Sequence, residues 1–180
     1  DTPLGAQHGL VILVNFADNE FEYSKEMFEG VLNQEGYSGE RSTGSALDYF
    51  RDSSYGLYSP TFDVLGPYTL SRNMSYYGRN DYWGDDLNPT AMIVEACKLA
   101  SADGNDMSQY DYDGDGYIDN VYVFYAGEGE ANGGAEDTIW PHRWVVIPGR
   151  GDGNFNGTLE DTKVDGVYVY DYACSNEICE

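Results

Sequence analysis

The chain is 180 residues long, 41% hydrophobic and 15% aromatic, which suffices for one domain with a proper core and excludes a disordered acidic tail. Its 32 acidic residues against nine Lys and Arg leave a formal charge of −23, which excludes nucleic acid and anionic membranes as partners and favours divalent cations. No apolar run is long enough to span a bilayer, and the residues from Asp1 onward carry no signal-peptide pattern, as expected of a processed or trimmed chain.

Leu10-Val11-Ile12-Leu13-Val14-Asn15-Phe16 is apolar without alternation, the mark of a central strand buried on both faces. Ser24 caps a short helix in which Met27, Phe28, Val31 and Leu32 share one side and which Gly36 ends. A second helix is expected after Ser42-Thr43, with Ala46, Leu47, Tyr49 and Phe50 at helical recurrence and a stop at Ser53-Ser54-Tyr55-Gly56. Tyr58 to Val64 alternates like a strand, and Pro60 places it at an edge or a bulge. Residues 66–87 show no clean period and read as a long surface excursion ordered by tyrosines. Asn88-Pro89 starts a helix with Ile93, Ala96, Cys97 and Ala100 as its buried stripe.

The stretch that follows states its chemistry most plainly. Asp111, Asp113, Asp115 and Asp119 stand at positions 1, 3, 5 and 9 of a calcium loop, with Gly116 at the turn and the Tyr117 carbonyl at position 7. Position 12 is Tyr122 where an EF-hand carries a bidentate Glu, and Asn120 to Tyr125 is β-branched and aromatic, so the loop feeds a strand instead of a second helix. An Asp/Gly surface turn without an ion is the plainer alternative, but four spaced carboxylates repel one another unless a cation sits among them. Glu128, Glu130, Glu136 and Asp137 could complete that shell or bind a second ion, with a solvated acidic loop as the default reading. Residues 127–134 and 148–157 read as loops, and Val167-Tyr168-Val169-Tyr170-Asp171-Tyr172 alternates as a last strand, solvated on one side. Alternating strands and helices without repeats or a linker indicate a single α/β (α+β) domain over residues 1–180, a twisted mixed sheet packed on helices.

Other motifs carry less. The two histidines, His8 and His142, are far apart and neither belongs to H-E-x-x-H, so no zinc site is expected in this chain. His8 reads as a surface residue, and His142, between Trp140-Pro141 and Trp144, as a packed, hydrogen-bonded one before any ligand role. Three cysteines leave at least one thiol unpaired within the chain; Cys97 falls on the apolar helical face, and the spacing of Cys174 and Cys179 permits a local disulfide without requiring it. No G-x-S-x-G or P-loop pattern occurs. Arg150-Gly151-Asp152 is read as a chance tripeptide in a Gly/Asp loop, and Asn73-Met74-Ser75 and Asn156-Gly157-Thr158 as sequons with meaning only in a eukaryotic secretory route.

With Gly9 to Phe16, Asp48-Tyr49-Phe50-Arg51-Asp52-Ser53-Ser54-Tyr55-Gly56, Asp111 to Tyr125, and Thr138-Ile139-Trp140-Pro141-His142 in view, the chain resembles the immune inhibitor A group of secreted bacterial zinc metallopeptidases, peptidase family M six. The resemblance implies the N-terminal half of a zincin catalytic domain, cut before the zinc-binding helix. Zinc and the general-base Glu would then belong to a C-terminal remainder, and this chain alone would be inactive. It also implies a secreted or cell-surface location, protein or peptide substrates, and a sheet-edge strand pairing with substrate, for which Val167 to Tyr172 is the expected segment. The rival reading is a non-catalytic, calcium-stabilised extracellular binding or adhesion module.

Overall fold

A strand that is apolar at every position must be covered on both faces, and β1 (His8–Asn15) is. The computed structural model describes residues 8–36, 38–39, 42–43, 52, 60–128, 135, 138–149 and 154–178. In chain order after β1 come a minimal antiparallel pair, β2 (Ser38–Gly39) with β3 (Ser42–Thr43), then β4 (Thr61–Thr69), β5 (Val121–Glu128) and β6 (His142–Val145). A second minimal pair, β7 (Lys163–Val164) with β8 (Val167–Tyr168), precedes β9 (Asp171–Ile178). The main sheet has the order β4-β1-β5-β9-β6. Its first four strands run parallel and β6 closes it antiparallel to β9.

Among the described residues, helices α1 (Lys25–Asn33), α2 (Met74–Gly78) and α3 (Pro89–Ala102) pack on this mixed sheet. Leu10, Ile12 and Val14 point to one face, where Val121, Val123, Tyr172 and Cys174 join Met92, Ile93, Ala96, Cys97 and Ala100 of α3 in the main core. Val11 and Leu13 point to the other and meet Phe28 of α1 and Val64 of β4. The period of two along β1 thus divides one apolar run between two layers. Fold class, central strand and α3 stripe are as the sequence indicates.

Several boundaries are corrected. Ser24 caps α1, its Oγ accepting the Met27 N–H, but the helix ends at Asn33, three residues before Gly36. Asn33 ends it because its side chain is engaged elsewhere: Oδ1 accepts the Phe62 N–H and Nδ2 donates to the Phe62 carbonyl, both at 2.7 Å, mimicking a strand partner on the edge of β4. That strand extends to Thr69, well into the segment read as a surface excursion. Gly66, at φ 96, lets it pass β1 closely, since a Cβ there would lie 2.5 Å from the Leu13 carbonyl oxygen. Leu70, Met74 and Tyr77 in the same excursion are buried. Asn88 makes no side-chain cap; its Nδ2 donates to the Tyr76 carbonyl, and Pro89 alone marks the start of α3. The helix expected from Ala46 to Phe50 lies outside the described residues.

So many carboxylates need donors that nine Lys and Arg cannot supply. Tyrosines supply them: Tyr68 donates to Asp103, Tyr77 to Glu95, Tyr110 to Asp63 and Tyr168 to Glu160, at 2.6–2.9 Å. Burial, reinforced by the neighbouring carboxylate, pushes the Tyr68 hydroxyl up to about 12, and Tyr77 and Tyr110 shift the same way, so all three remain donors at neutral pH. A phenol satisfies a carboxylate without neutralising it, which leaves the negative field of the chain largely intact.

Replacing Asn33 by Ala strands two backbone groups of Phe62 at once. The expected loss is about 1–3 kcal/mol, read as a lower denaturant midpoint at unchanged slope, because unmade hydrogen bonds at partly buried groups carry a desolvation penalty.

Candidate functional site: an acidic loop and an aromatic cleft

A 3-10 turn over Met107–Tyr110, closed by the Asp106 side chain on the Ser108 N–H, delivers the chain from α3 to the acidic loop. Asp111 Oδ1 accepts the N–H groups of Gly114 and Asp115 at 2.8 and 3.1 Å, and its Oδ2 accepts Gly116 at 2.9 Å. Asp113 accepts the Asp115 N–H, Asp115 that of Tyr117, and Asp119 that of Tyr112. Gly114 and Gly116 take positive φ of 75 and 89, which winds the loop tightly enough to bring its carboxylates together. One oxygen each of Asp111, Asp113 and Asp115 lies within 4.8 Å of the other two. Each of these oxygens has two lone pairs, so accepting backbone N–H bonds leaves acceptor capacity for a hard cation. Asp119 is held close enough that its carboxyl is pushed up, chiefly by burial and then by the charges of Asp113, Asp111 and Asp115.

The loop is tied to the end of the chain. Gly116 accepts the Tyr168 N–H and Ile118 donates to the Tyr168 carbonyl, both at 2.9 Å, while the Tyr117 ring packs on Tyr168 and Tyr170. Whatever stiffens the loop therefore stiffens the segment that leads into β9. Glu128 is not part of this arrangement: it is exposed at the far end of β5, roughly 25 Å of strand away. Glu130, Glu136, Asp137 and the tripeptide 150–152 lie outside the described residues.

The expected edge strand is elsewhere. Val167 and Tyr168 form half of the small β7–β8 pair, Val169 and Tyr170 are in neither strand, and Asp171 and Tyr172 open β9, which is flanked by β5 on one side and β6 on the other. Among the described residues the free edge on this side belongs to β6, whose four residues were read only as a Trp/His cluster. Period two was visible at 167–172, but a strand's neighbours are not written in its own residues.

Beside β6 opens a cleft of about 760 Å³. Asp85 and Asp86, Trp140 and Trp144, Tyr172 on β9 and Pro89 at the start of α3 are among the residues that line it. Trp140 and Trp144 are 51% and 58% exposed, whereas Asp86 is 9% exposed and its Oδ2 accepts the Trp140 N–H at 3.0 Å. His142 lies in this cleft as a fully engaged side chain. Its Nδ1 is 2.6 Å from the Trp140 carbonyl, a pure acceptor, so Nδ1 carries the hydrogen and Nε2 accepts from the Tyr172 hydroxyl at 2.7 Å. Burial raises the Tyr172 hydroxyl, which keeps it a donor. Asp85 and Asp86 carried no motif signal, Trp144 was read only as a neighbour of His142 and Tyr172 only as the end of the alternating segment; the β6–β9 pairing and the approach of the 81–86 loop assemble them. His8, by contrast, is a surface residue whose Nδ1 lies 3.0 Å from Asp63 Oδ1.

Residues 7–178 match the family described as immune inhibitor A peptidase M6, catalytic domain. The chain belongs to this family. Among similar peptidase M6 proteins, the pre-pro-metalloprotease PrtV of Vibrio cholerae serotype O1 (strain M66-2) is 30% identical over 166 residues, covering 74% of this chain and 18% of PrtV. Immune inhibitor A of Bacillus thuringiensis subsp. alesti is 29% identical over 177 residues, covering 77% of this chain and 26% of its own length. The chain thus spans about a fifth to a quarter of the curated relatives it matches. No helix among the described residues is long and apolar enough to cross a membrane.

Cys97 and Cys174 are both buried free thiols, each pushed up to about 12 chiefly by burial. A thiol reagent such as Ellman's, applied at about pH 8, should leave both unreacted in the native protein and modify both on denaturation, because the thiolate is the reacting species. Fast native labelling of either, located by peptide mass mapping, would contradict this burial.

Proposed function

We propose that this chain is the sheet-bearing part of the catalytic domain of a secreted bacterial zinc metalloendopeptidase, with the acidic loop as a structural calcium site and the free edge of β6 as the strand that pairs with extended substrate. The observation that carries the reading is the antiparallel edge strand running beside an aromatic cleft, in a chain of the M6 family. An unpaired edge offers a row of N–H and C=O groups to a peptide backbone, and an adjoining cleft can receive the side chains on one face.

Calcium is assigned to Asp111, Asp113 and Asp115, with Asp119 and the Tyr117 carbonyl completing the loop positions. The support is the mutual approach of three carboxylates and the raised pKa of the fourth. An ion there would relieve that repulsion and, through Gly116 and Ile118, hold Tyr168 and the approach to β9. Zinc does not fit the described residues. Both nitrogens of His142 are committed to protein atoms, which supports assigning zinc, its histidines and the general-base Glu to sequence outside this chain, in the reading proposed here a C-terminal remainder. In the complete enzyme zinc would polarise the scissile carbonyl and activate water. What this chain would contribute is alignment: β6 holds the substrate backbone extended, and the His142–Tyr172 bond fixes where that strand begins.

Calcium should raise the melting temperature, by an amount corresponding to about 2.7 kcal/mol when free calcium is a hundred times its dissociation constant. Asp119, with its folded-state pKa raised, makes the ion-free fold more stable as pH falls through the carboxylate range, while protonation removes calcium ligands. The calcium-dependent increment should therefore be largest near about pH 7 and shrink toward about pH 4. Asp113→Ala should abolish it. A melting curve indifferent to EGTA would remove the calcium assignment.

The enzyme reading expects the gene product to continue past Glu180 and is tested on that longer product. It should carry H-E-x-x-H, cleave denatured protein, and lose about 10²-fold or more of its rate when the motif Glu becomes Ala, whereas the 180 residues alone should cleave nothing. Absence of the motif from both the continuing sequence and any partner chain would leave the calcium-stabilised binding module as the better reading.

A further inference from the structure

The cleft beside β6 has a chemical character that the peptidase assignment does not use. Its lining includes two carboxylates, Asp85 and Asp86, and two exposed indole rings, Trp140 and Trp144; among the described residues no Lys or Arg lines it. We infer that the cleft selects peptides carrying Lys or Arg at alternate positions, each basic side chain laying its apolar stem on the tryptophans and its cationic head toward Asp85 and Asp86. The inference rests on the reading of β6 as the substrate-pairing edge.

Geometry and chemistry agree. Trp144 stands opposite Tyr172, and His142 opposite Cys174, in the β6–β9 register, so the cleft face of β6 is the face of every second residue. A peptide added to that edge presents its own alternate side chains to the same face. An exposed indole face attracts a cation through the ring quadrupole, and a guanidinium also stacks on it flat. Asp85 is exposed at the cleft and Asp86 lies nearly buried beside it with its Oδ2 accepting the Trp140 N–H, so a cationic head can meet Asp85 directly in the field of both carboxylates, and an acidic side chain would be repelled. A side chain with an aliphatic stem and a positive head is the one common type that suits both the indoles and the carboxylates.

The test separates this inference from the peptidase reading. The 180-residue chain is titrated, at about 0.15 M salt, with acetylated and amidated Arg-Val-Arg-Val-Arg, Leu-Val-Leu-Val-Leu and Glu-Val-Glu-Val-Glu, following tryptophan fluorescence and calorimetry. The Arg peptide should bind about tenfold or more tighter than the Leu peptide, and the Glu peptide should not bind. Because a chain of formal charge −23 attracts any cation, the deciding variant is Trp144→Ala, which leaves the charge unchanged and alters a half-exposed side chain. It should weaken the Arg peptide about fivefold or more, and Asp85→Asn should do likewise. Equal binding of the Arg and Leu peptides, or wild-type binding by a folded Trp144→Ala, overturns the inference. In the longer gene product, cleavage sites mapped in denatured protein should be enriched in Lys or Arg at a fixed, even spacing on one side of the cut. Cleavage without that enrichment also overturns the inference while leaving the peptidase reading intact. No cleavage at all counts against the peptidase reading alone, and the binding titration then decides this one.

Discussion

Burial of β1 on both faces is the constraint from which the rest of the structure follows. Once Leu10, Ile12 and Val14 face one way and Val11 and Leu13 the other, each layer needs its own cover, and α3 and α1 provide it on opposite sides. Parallel neighbours on both edges of β1 then require long crossovers, which is where the helices go. An antiparallel strand can join such a sheet only at one of its ends, and β6 does so beyond β9. The free edge and its cleft are therefore consequences of how the centre is built.

The acidic loop is coupled to the same frame. It lies between α3 and β5, the strand next to β1, and its Gly116 and Ile118 grip Tyr168 just before β9. A turn that looks like a local surface feature thus spans two neighbouring strands of the sheet. If calcium occupies it, the ion braces the path from β5 to Tyr172, and Tyr172 is the hydroxyl that anchors His142 at the start of β6. The charge economy of the chain suits this. Tyrosine hydroxyls and backbone N–H groups satisfy its carboxylates without cancelling them, so loop and cleft keep the negative potential that a divalent cation or a basic side chain would answer.

Membership of the M6 family and the local geometry bear on different parts of the problem. The family match covers nearly the whole chain and brings with it the expectation of metal-dependent proteolysis. The geometry says what the described residues can contribute, which is an edge, a cleft and an acidic loop tied to the approach to β9. His142 illustrates the distinction: a histidine in an aromatic cluster invites a ligand role, yet its two hydrogen bonds make it a strap between Trp140 and Tyr172.

Some of this was legible in the residues alone. Unbroken apolarity announces a doubly covered strand, a serine before a helical stripe announces α1, and aspartates at spacing two with glycine between them announce a tight oxygen-rich loop, because each signal is set by bonds within a few residues. The family resemblance was legible for the same reason, being carried by short contiguous stretches. Which strand lies at the edge was not. Val167 to Tyr172 alternates as an edge strand should, but alternation reports only that one face is wetter than the other; the hydrogen-bonding flank is decided by which strand arrives beside it. That strand is β6, a stretch of four residues with no periodic signal, placed by pairing with β9 from some thirty positions away. The cleft is likewise a product of distance in sequence, since Asp86 meets Trp140 across 54 positions and His142 meets Tyr172 across 30. Local chemistry determined the elements and the acidic loop, and tertiary pairing alone decided where an edge and a cleft would exist.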